Sequence, residues 1–128
     1  MFASKLTPLK KPLLWYSMAY AMLGLVALFS LLPLSSDIGT SDKVLHFTTY
    51  GLLSAGFTTL VRFNHQLLWV TAGLILYGIL IELLQSLTGY RYMEVADMLA
   101  NSAGVLSGLL LRLTSVPVWF RQIENRLF

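Results

Sequence analysis

The stretch at residues 67–87, "LLWVTAGLILYGILIELLQSL", is long and apolar, and Glu82 is its only charged residue. A helix needs about 20 mostly apolar residues to cross the hydrocarbon core of a bilayer. Three further stretches have the same character, at 13–32, 44–61 and 95–113. We therefore expect an all-α integral membrane protein whose transmembrane domain is a four-helix bundle.

The composition favours the bilayer as the solvent of this chain. Hydrophobic residues make up 56% of it and charged residues only 12%, and the mean hydropathy is +0.70. A soluble domain carries about a quarter charged residues. The chain has no cysteine, which excludes disulfides and cysteine-based metal sites. No linker interrupts residues 1–128, so a single domain is expected.

The basic residues predict the orientation of the helices. Most lie at one side of the predicted bundle, and only Lys43 and Arg91 lie at the other. The positive-inside rule then places both termini in the cytoplasm, in a multi-pass protein of the bacterial inner membrane. This distribution between apolar stretches also argues against nucleic acid as a partner. The first apolar stretch is too long for a signal-peptide core, so it is expected to be retained.

The tail at residues 115–128 has a different pattern. Its apolar residues recur at helical spacing with charged residues between them, and Ser115 and Pro117 suit a helix start. We predict a short interfacial helix, with Trp119 at the boundary of the membrane. The alternative is a frayed chain end.

Polar side chains are concentrated at the predicted outer ends of three helices. Asp42, His46 and Tyr50 follow at i, i+4 and i+8, which puts them on one helix face. Polar residues inside a membrane are costly and usually face the bundle interior and each other. The predicted ligand-binding residues are Asp42, Lys43, His46, Tyr50, Glu82, Gln85, Arg91, Asp97 and Asn101.

Each of these residues alone has a structural interpretation. Acids near helix starts are common caps, basic residues contact headgroups, and amides join neighbouring helices. Together, with both signs of charge at one depth, they favour a site. The fourth helix also carries "GVLSG", and its Gly104 and Gly108 would let another helix approach closely.

Three segments together resemble the VanZ-like membrane proteins. They are "DKVLHFTTY", "ELLQ" and "RYMEVADMLANSAGVLSG", and they cover roughly the chain from Asp42 to Gly108. The resemblance implies an integral envelope protein, and the namesake of the family is associated with resistance to the glycopeptide teicoplanin. It also implies that the predicted ligand-binding residues, with Gly104, are family-type positions. Tyr90 and Glu94 depart from the smaller residues that relatives often have around the arginine.

Two functions suit these residues best. The first is binding or modulation of a lipid or envelope-precursor headgroup at the outer leaflet, where Lys43 and Arg91 would hold a phosphate. The alternative is an intramembrane enzyme acting on a lipid-linked phosphate or ester. In it His46 would be the general acid or base, and Glu82 and Asp97 are the further catalytic candidates.

The predicted partners are membrane lipid and a lipid-linked envelope precursor, and no oligomeric state is predicted. No cofactor is expected beyond a divalent cation, which carboxylates and one imidazole suit. A proton or ion path is a third hypothesis. It is disfavoured because the inner halves of the helices offer few polar residues besides Thr58, Thr59, Thr71 and Ser107.

Overall fold

The computed structural model describes residues 5–32, 41–90 and 92–128, except for the side chains of residues 41 and 42. Within these ranges the chain is helical, and its only β-type pairing is a bridge between Lys5 and Phe63. The all-α class is therefore confirmed. The elements are α1 (Pro12–Leu31), α2 (Ser41–Leu60), α3 (Gln66–Leu87), α4 (Val95–Leu109), a 3₁₀ turn (Leu110–Leu113) and α5 (Val116–Leu127).

The helix bounds follow the apolar stretches with two differences. Helix α2 begins at Ser41, three residues before the stretch that begins at residue 44. Serine and aspartate, which open this helix, are residue types that favour helix starts. Helix α4 ends at Leu109 and tightens into the 3₁₀ turn. That turn carries Arg112, which is bonded to backbone carbonyls at the end of α2.

Two of the described helices, α1 and α3, are long and apolar enough to cross a membrane. A third candidate arises only if Val95–Leu113 and Val116–Leu127, which are bent by 68°, count as one span. Helix α4 alone has 15 residues and is about 22 Å long, shorter than the hydrocarbon core of about 30 Å. Helix α2 carries polar residues along its length. A membrane helical bundle therefore fits the structure, and the four-span count stays a prediction.

The bundle buries polar side chains and exposes apolar ones. Glu82 is 1% exposed, whereas Leu68 and Trp69 on the same helix are 70% and 74% exposed. The buried polar side chains are Ser54, Thr58, Thr59, Glu82, Gln85, Asp97, Asn101, Arg112, Arg121 and Glu124. A soluble protein shows large exposed apolar surfaces only at interaction sites. This distribution therefore supports lipid, not water, around α1 and α3.

Helix α2 lies at the centre and contacts all four other helices. Its most extensive contact is with α4, and α1 covers one side of the bundle with half-buried residues and no fully buried one. The small apolar core consists of Tyr50, Leu53, Phe57, Leu74 and Val105. Because α2 is central, residues on different faces of α2 contact α3 and α4.

The glycines of "GVLSG" bring α2 and α4 together. A Cβ atom on Gly108 would lie 2.6 Å from the carbonyl oxygen of Gly51, and one on Gly104 would overlap the carbonyl oxygen of Phe47. Ser54 adds a hydrogen bond from its hydroxyl to the carbonyl oxygen of Val105, at 2.6 Å. The predicted close approach at these two glycines is thus present, and it fixes α4 against α2 beside the polar residues.

Candidate functional site

Three helices meet at one end of the bundle, which we call the site end. It is formed by the first turns of α2, the last turns of α3 and the first turns of α4. The opposite end holds the N-terminal end of α1 together with α5, because Lys11 bonds Glu124 there. Polar residues predicted from three separate stretches of sequence therefore lie at the same end.

The centre of the site end is a group of three side chains, His46, Glu82 and Asp97, which we call the acid–imidazole cluster. One potential ligand atom from each side chain lies within 4.8 Å of the others. Glu82 is 1% exposed, Asp97 is 4% exposed, and His46 is half-buried. Each residue comes from a different helix, so the cluster exists only when α2, α3 and α4 are packed together.

Lys43 lies at the rim of this cluster. Its ammonium contacts a carboxylate oxygen of Glu94 at 2.6 Å and also contacts Oδ1 of Asp97. Lys43 and Glu94 are partly exposed, whereas Asp97 is buried. The predicted phosphate-holding lysine is thus already paired with two acids. A phosphate would therefore bind Lys43 either by displacing one of these carboxylates or by accepting a further hydrogen bond from the same ammonium.

Tyr50 and Asn101 lie deeper in the bundle, one turn beyond His46 and Asp97. Both are buried and face Gly78 of α3, where an added Cβ would lie 3.1 Å from a ring carbon of Tyr50 and 3.4 Å from Nδ2 of Asn101. Within the described residues, the Tyr50 hydroxyl and the Asn101 carbonyl oxygen have no hydrogen-bond partner. The innermost part of the site therefore contains polar atoms and is closely packed against Gly78.

Gln85 is buried, but it faces α1. Its side-chain nitrogen donates a hydrogen bond of 2.7 Å to the carbonyl oxygen of Ser30, and the hydroxyl of Tyr90 donates to that of Leu31. Both acceptors belong to the last turn of α1, whose final carbonyls lack helical donors. Gln85 thus holds α1 against α3, and its role in ligand binding stays a prediction.

Two predicted site residues cannot be placed against the cluster. Arg91 lies outside the described residues, and so does the side chain of Asp42, although its backbone belongs to the first turn of α2. Their membership in the site stays a prediction. Glu94, which sequence reasoning treated as a loop residue, is instead part of the site through Lys43.

Two arginines at the opposite end have a structural role that sequence reasoning missed, since it used them only as markers of orientation. Arg112 and Arg121 are 2% and 3% exposed. Both guanidinium groups donate to carbonyl oxygens of residues 58–62, over 2.5–3.4 Å, at the end of α2. Helix C-termini carry unsatisfied carbonyls and partial negative charge, so two buried cations stabilise this end. Burial lowers the pKa of the Arg121 guanidinium from its ordinary value.

Glu124 completes that end by joining α5 to the start of α1. Its Oε1 accepts hydrogen bonds from the backbone N–H of Lys11 at 2.8 Å and from Nε1 of Trp15 at 2.7 Å. Burial alone would raise the pKa of the Glu124 carboxyl. These donors and the nearby Arg121 outweigh burial, so its pKa lies below the ordinary value. Arg121 and Glu124 are three residues apart, so they share one face of α5, opposite the apolar residues of the tail. This spacing was the sequence pattern that could have predicted a buried polar face.

The acid–imidazole cluster has two chemical capacities. An imidazole beside carboxylates can exchange protons with a bound group, as in general acid–base catalysis. The same donors, one nitrogen and several oxygens, also suit a divalent cation. Among the described side chains of the site end, the carboxylates of Glu82, Glu94 and Asp97 outnumber the single ammonium of Lys43.

Apolar helices that surround a polar interior, with polar residues of three helices gathered at one end, define a helical membrane protein with a polar site. The comparison with protein families agrees with this class. The chain belongs to the VanZ/LLP1 family, whose sequence model matches residues 6–116. This membership confirms the resemblance seen in the sequence. Neither the comparison with curated proteins nor that with solved structures gives a match.

Proposed function

We propose that this VanZ-like envelope protein binds the polar headgroup of a membrane lipid or lipid-linked envelope precursor at its site end. The observation that carries the proposal is the convergence of Lys43, His46, Glu82 and Asp97 from three helices beside an apolar, lipid-compatible surface. A ligand that matches both features has a charged or hydrogen-bonding head and an apolar tail.

The chemistry of the site suits a headgroup with both donors and acceptors. The carboxylates accept hydrogen bonds from hydroxyl or amine groups, and the ammonium of Lys43 donates to phosphate or carbonyl oxygens. Lys43 and Glu94 are partly exposed, so their ion pair can rearrange around a ligand at small cost. The buried members of the cluster supply the fixed part of the site.

The orientation belongs to the same proposal. With four spans and cytoplasmic termini in the inner membrane, the site end faces the outer leaflet and α5 lies on the inner one. The exposure of Trp119, Ile123 and Leu127, while Arg121 and Glu124 are buried, supports contact between the apolar face of α5 and lipid. In a variant that keeps Trp119 as its single tryptophan, fluorescence quenching by brominated lipids should place Trp119 at the depth of the headgroups. Quenching of Trp119 at the bilayer centre would contradict an interfacial α5.

Retained lipid tests the binding directly. The protein is extracted in mild detergent from its own membrane, and co-purifying lipids are quantified by native mass spectrometry against the bulk membrane. We expect one enriched lipid class, lost in Lys43→Gln and Glu82→Gln and kept in the matched control Lys5→Gln, since Lys5 is exposed at the opposite end. A retained composition equal to the bulk would refute the proposal.

An intramembrane enzyme is the second candidate, because His46 lies within 4.8 Å of two carboxylates. It would hydrolyse a lipid-linked phosphate or ester: water attacks the phosphorus or acyl carbon, the bond to the lipid oxygen breaks, and His46 takes the proton from water or gives one to the leaving oxygen. Release of phosphate or alcohol from a lipid-linked substrate, abolished by His46→Gln, is the expected result. Retention of an intact lipid without turnover over hours would favour binding alone.

The most specific part of the proposal is a link to teicoplanin susceptibility. It follows if the bound headgroup belongs to an envelope precursor whose exposure at the outer face changes on binding. Deletion and restoration of the gene in its own host, with wild type or Glu82→Gln, should then change susceptibility in parallel with lipid retention. Unchanged susceptibility in every strain would separate this protein from that phenotype.

A further inference from the structure

We propose that His46, Glu82 and Asp97 bind one divalent cation of the first transition row, of the Mn²⁺ or Zn²⁺ type, within the site end. The cation site stands on the geometry of the cluster itself. Its role, to meet the phosphate or other oxygen ligand of a headgroup, rests on the proposed function.

The distances of the cluster are close to those of a metal site. Imidazole and carboxylate ligands bind such ions at about 2.0–2.2 Å, so adjacent ligand atoms in a filled site are about 3–3.5 Å apart. In the cluster they lie within 4.8 Å, and each is carried by a different packed helix. Shortening a 4.8 Å separation to this range requires each of two ligand atoms to move by about 1 Å.

The carboxylates among the described residues of the site end are suitable ligands for a cation. Glu82 and Asp97 are each more than nine-tenths buried, and Glu94 adds a third carboxylate near the rim. Lys43 is the only ammonium that the described part of this end provides. Buried charges are normally paired or coordinate metals, because an isolated buried charge is costly. A divalent ion held by these carboxylates and the imidazole would create a binding point for phosphate oxygens.

The surroundings of the cluster resemble the supporting shell of a metal site. Lys43 contacts Oδ1 of Asp97 and so orients that carboxylate. One turn deeper, Asn101 is 3% exposed, and its carbonyl oxygen accepts no hydrogen bond from the described residues. A water on the metal would supply the missing donor. This buried amide, which lies against Gly78 one turn before Glu82 on α3, is an observation independent of the acids.

The donor types select among metals. One imidazole nitrogen with two carboxylate oxygens suits Mn²⁺, Fe²⁺ or Zn²⁺, whereas Ca²⁺ and Mg²⁺ prefer oxygen ligands alone. The probe is therefore Mn²⁺, whose electron paramagnetic resonance separates bound from free ion. Protein in detergent is stripped with EDTA, desalted, titrated with MnCl₂ and also analysed for total metal. Zn²⁺ competition then tests whether both ions take one site.

We expect one saturable Mn²⁺ per chain and a nitrogen coupling to the bound ion that disappears in His46→Gln. Affinity should fall at least tenfold in Glu82→Gln and Asp97→Asn, whose shapes match the natural side chains. Glu124→Gln is the control, because Glu124 carries its carboxylate at the opposite end of the bundle, and the folded variant should bind within about threefold of wild type. Circular dichroism and thermal unfolding confirm that each variant is folded.

Absence of saturable binding to folded wild type would overturn the cation site, as would binding that Glu82→Gln and Asp97→Asn leave unchanged. Bound Mn²⁺ without nitrogen coupling would overturn the ligand set. Lipid retention is measured on the same preparations with and without EDTA. Metal binding without any enriched lipid would refute the proposed function and leave the cation site standing. Equal lipid retention after EDTA would refute only the role of the cation in holding the headgroup.

Discussion

Replacing Gly108 by alanine should separate α2 from α4 and destabilise the protein. The new Cβ would lie 2.5 Å from Cβ of Ser54, 2.6 Å from the carbonyl oxygen of Gly51 and 2.7 Å from the backbone nitrogen of Ala55. Ordinary contact begins at 3.4 Å, so the methyl group is about 0.8 Å too close to the Gly51 carbonyl. Two of these three atoms are backbone, and therefore no side-chain rotation relieves the overlap.

The magnitude follows from the cost of overpacking, which is about 1–3 kcal/mol for an extra methyl group in a close-packed interior. Alanine in place of glycine favours a helix by about 0.5–1 kcal/mol, so the net cost is about 1.3 kcal/mol at the middle of both ranges. For a chain of 128 residues we therefore expect the midpoint of thermal unfolding to fall by about 5 °C. Gly104→Ala should act in the same direction, because its Cβ would meet the carbonyl oxygen of Phe47.

The assay is thermal unfolding of purified protein in one detergent, followed by fluorescence and by retention of the monodisperse peak after heating. The matched control is Gly56→Ala on α2, since nothing lies within 4 Å of a Cβ built there. We expect that control to unfold at or slightly above the wild-type temperature. If Gly108→Ala is as stable as Gly56→Ala, the close contact between α2 and α4 is refuted, and with it the argument that this contact positions the site end.

Three further predictions concern the charged residues. Lys43→Gln should lower the free energy of unfolding by about 1 kcal/mol, because it leaves the buried carboxylate of Asp97 without its cation, and added salt should reduce the difference. Arg121→Lys should destabilise the protein by about 2 kcal/mol in denaturant titrations, since an ammonium cannot reach the same carbonyls, whereas Arg126→Lys should be neutral. Folding lowers the pKa of Glu124, so its contribution to the free energy of unfolding should be complete above the ordinary pKa of 4.5. That contribution should be lost as the pH falls through the lower pKa of the folded state. The stability difference between wild type and Glu124→Gln should therefore shrink below pH 4.5, and a difference that grows on acidification would contradict the sign of the shift.

The apolar helices and the gathering of polar residues at one end could be predicted because both follow from local patterns. Length and hydrophobicity mark α1 and α3 without any knowledge of their neighbours. Helical spacing puts His46 on a defined face of α2, and short connections make neighbouring helices antiparallel. Depth in the membrane then follows from position along each helix, which is why His46, Glu82 and Asp97 could be expected near one another.

The specific partners could not be predicted in the same way. The sequence does not indicate that Lys43 pairs with both Asp97 and Glu94, which lies 51 residues later. This pairing depends on how α4 is rotated against α2. Gln85 is a predicted site residue, and its spacing gave no sign that its side-chain nitrogen would bond the last turn of α1. Sequence spacing determines which residues share a face, whereas tertiary packing determines what that face meets.

Buried arginines at the opposite end were missed for a different physical reason. Their acceptors are backbone carbonyls at the end of α2, and every residue type carries such a carbonyl, so the sequence contains no complementary signal. Basic residues near the inner side are also expected from membrane topology alone. Arg112 and Arg121 satisfy that rule and also stabilise the helix end. Because the rule alone accounts for their position in the sequence, nothing in the sequence indicated the second role.

The two ends of α2 therefore have different capacities. At its C-terminal end two guanidinium groups are committed to backbone carbonyls, and Gly104 and Gly108 hold its middle against α4. Both features are rigid, since they consist of buried groups packed on backbone. At its N-terminal end, Lys43 belongs to a partly exposed ion pair with Glu94 and also contacts the buried Asp97. The proposed binding of a headgroup therefore falls at the end where partly exposed partners can rearrange while the rest of the bundle stays fixed.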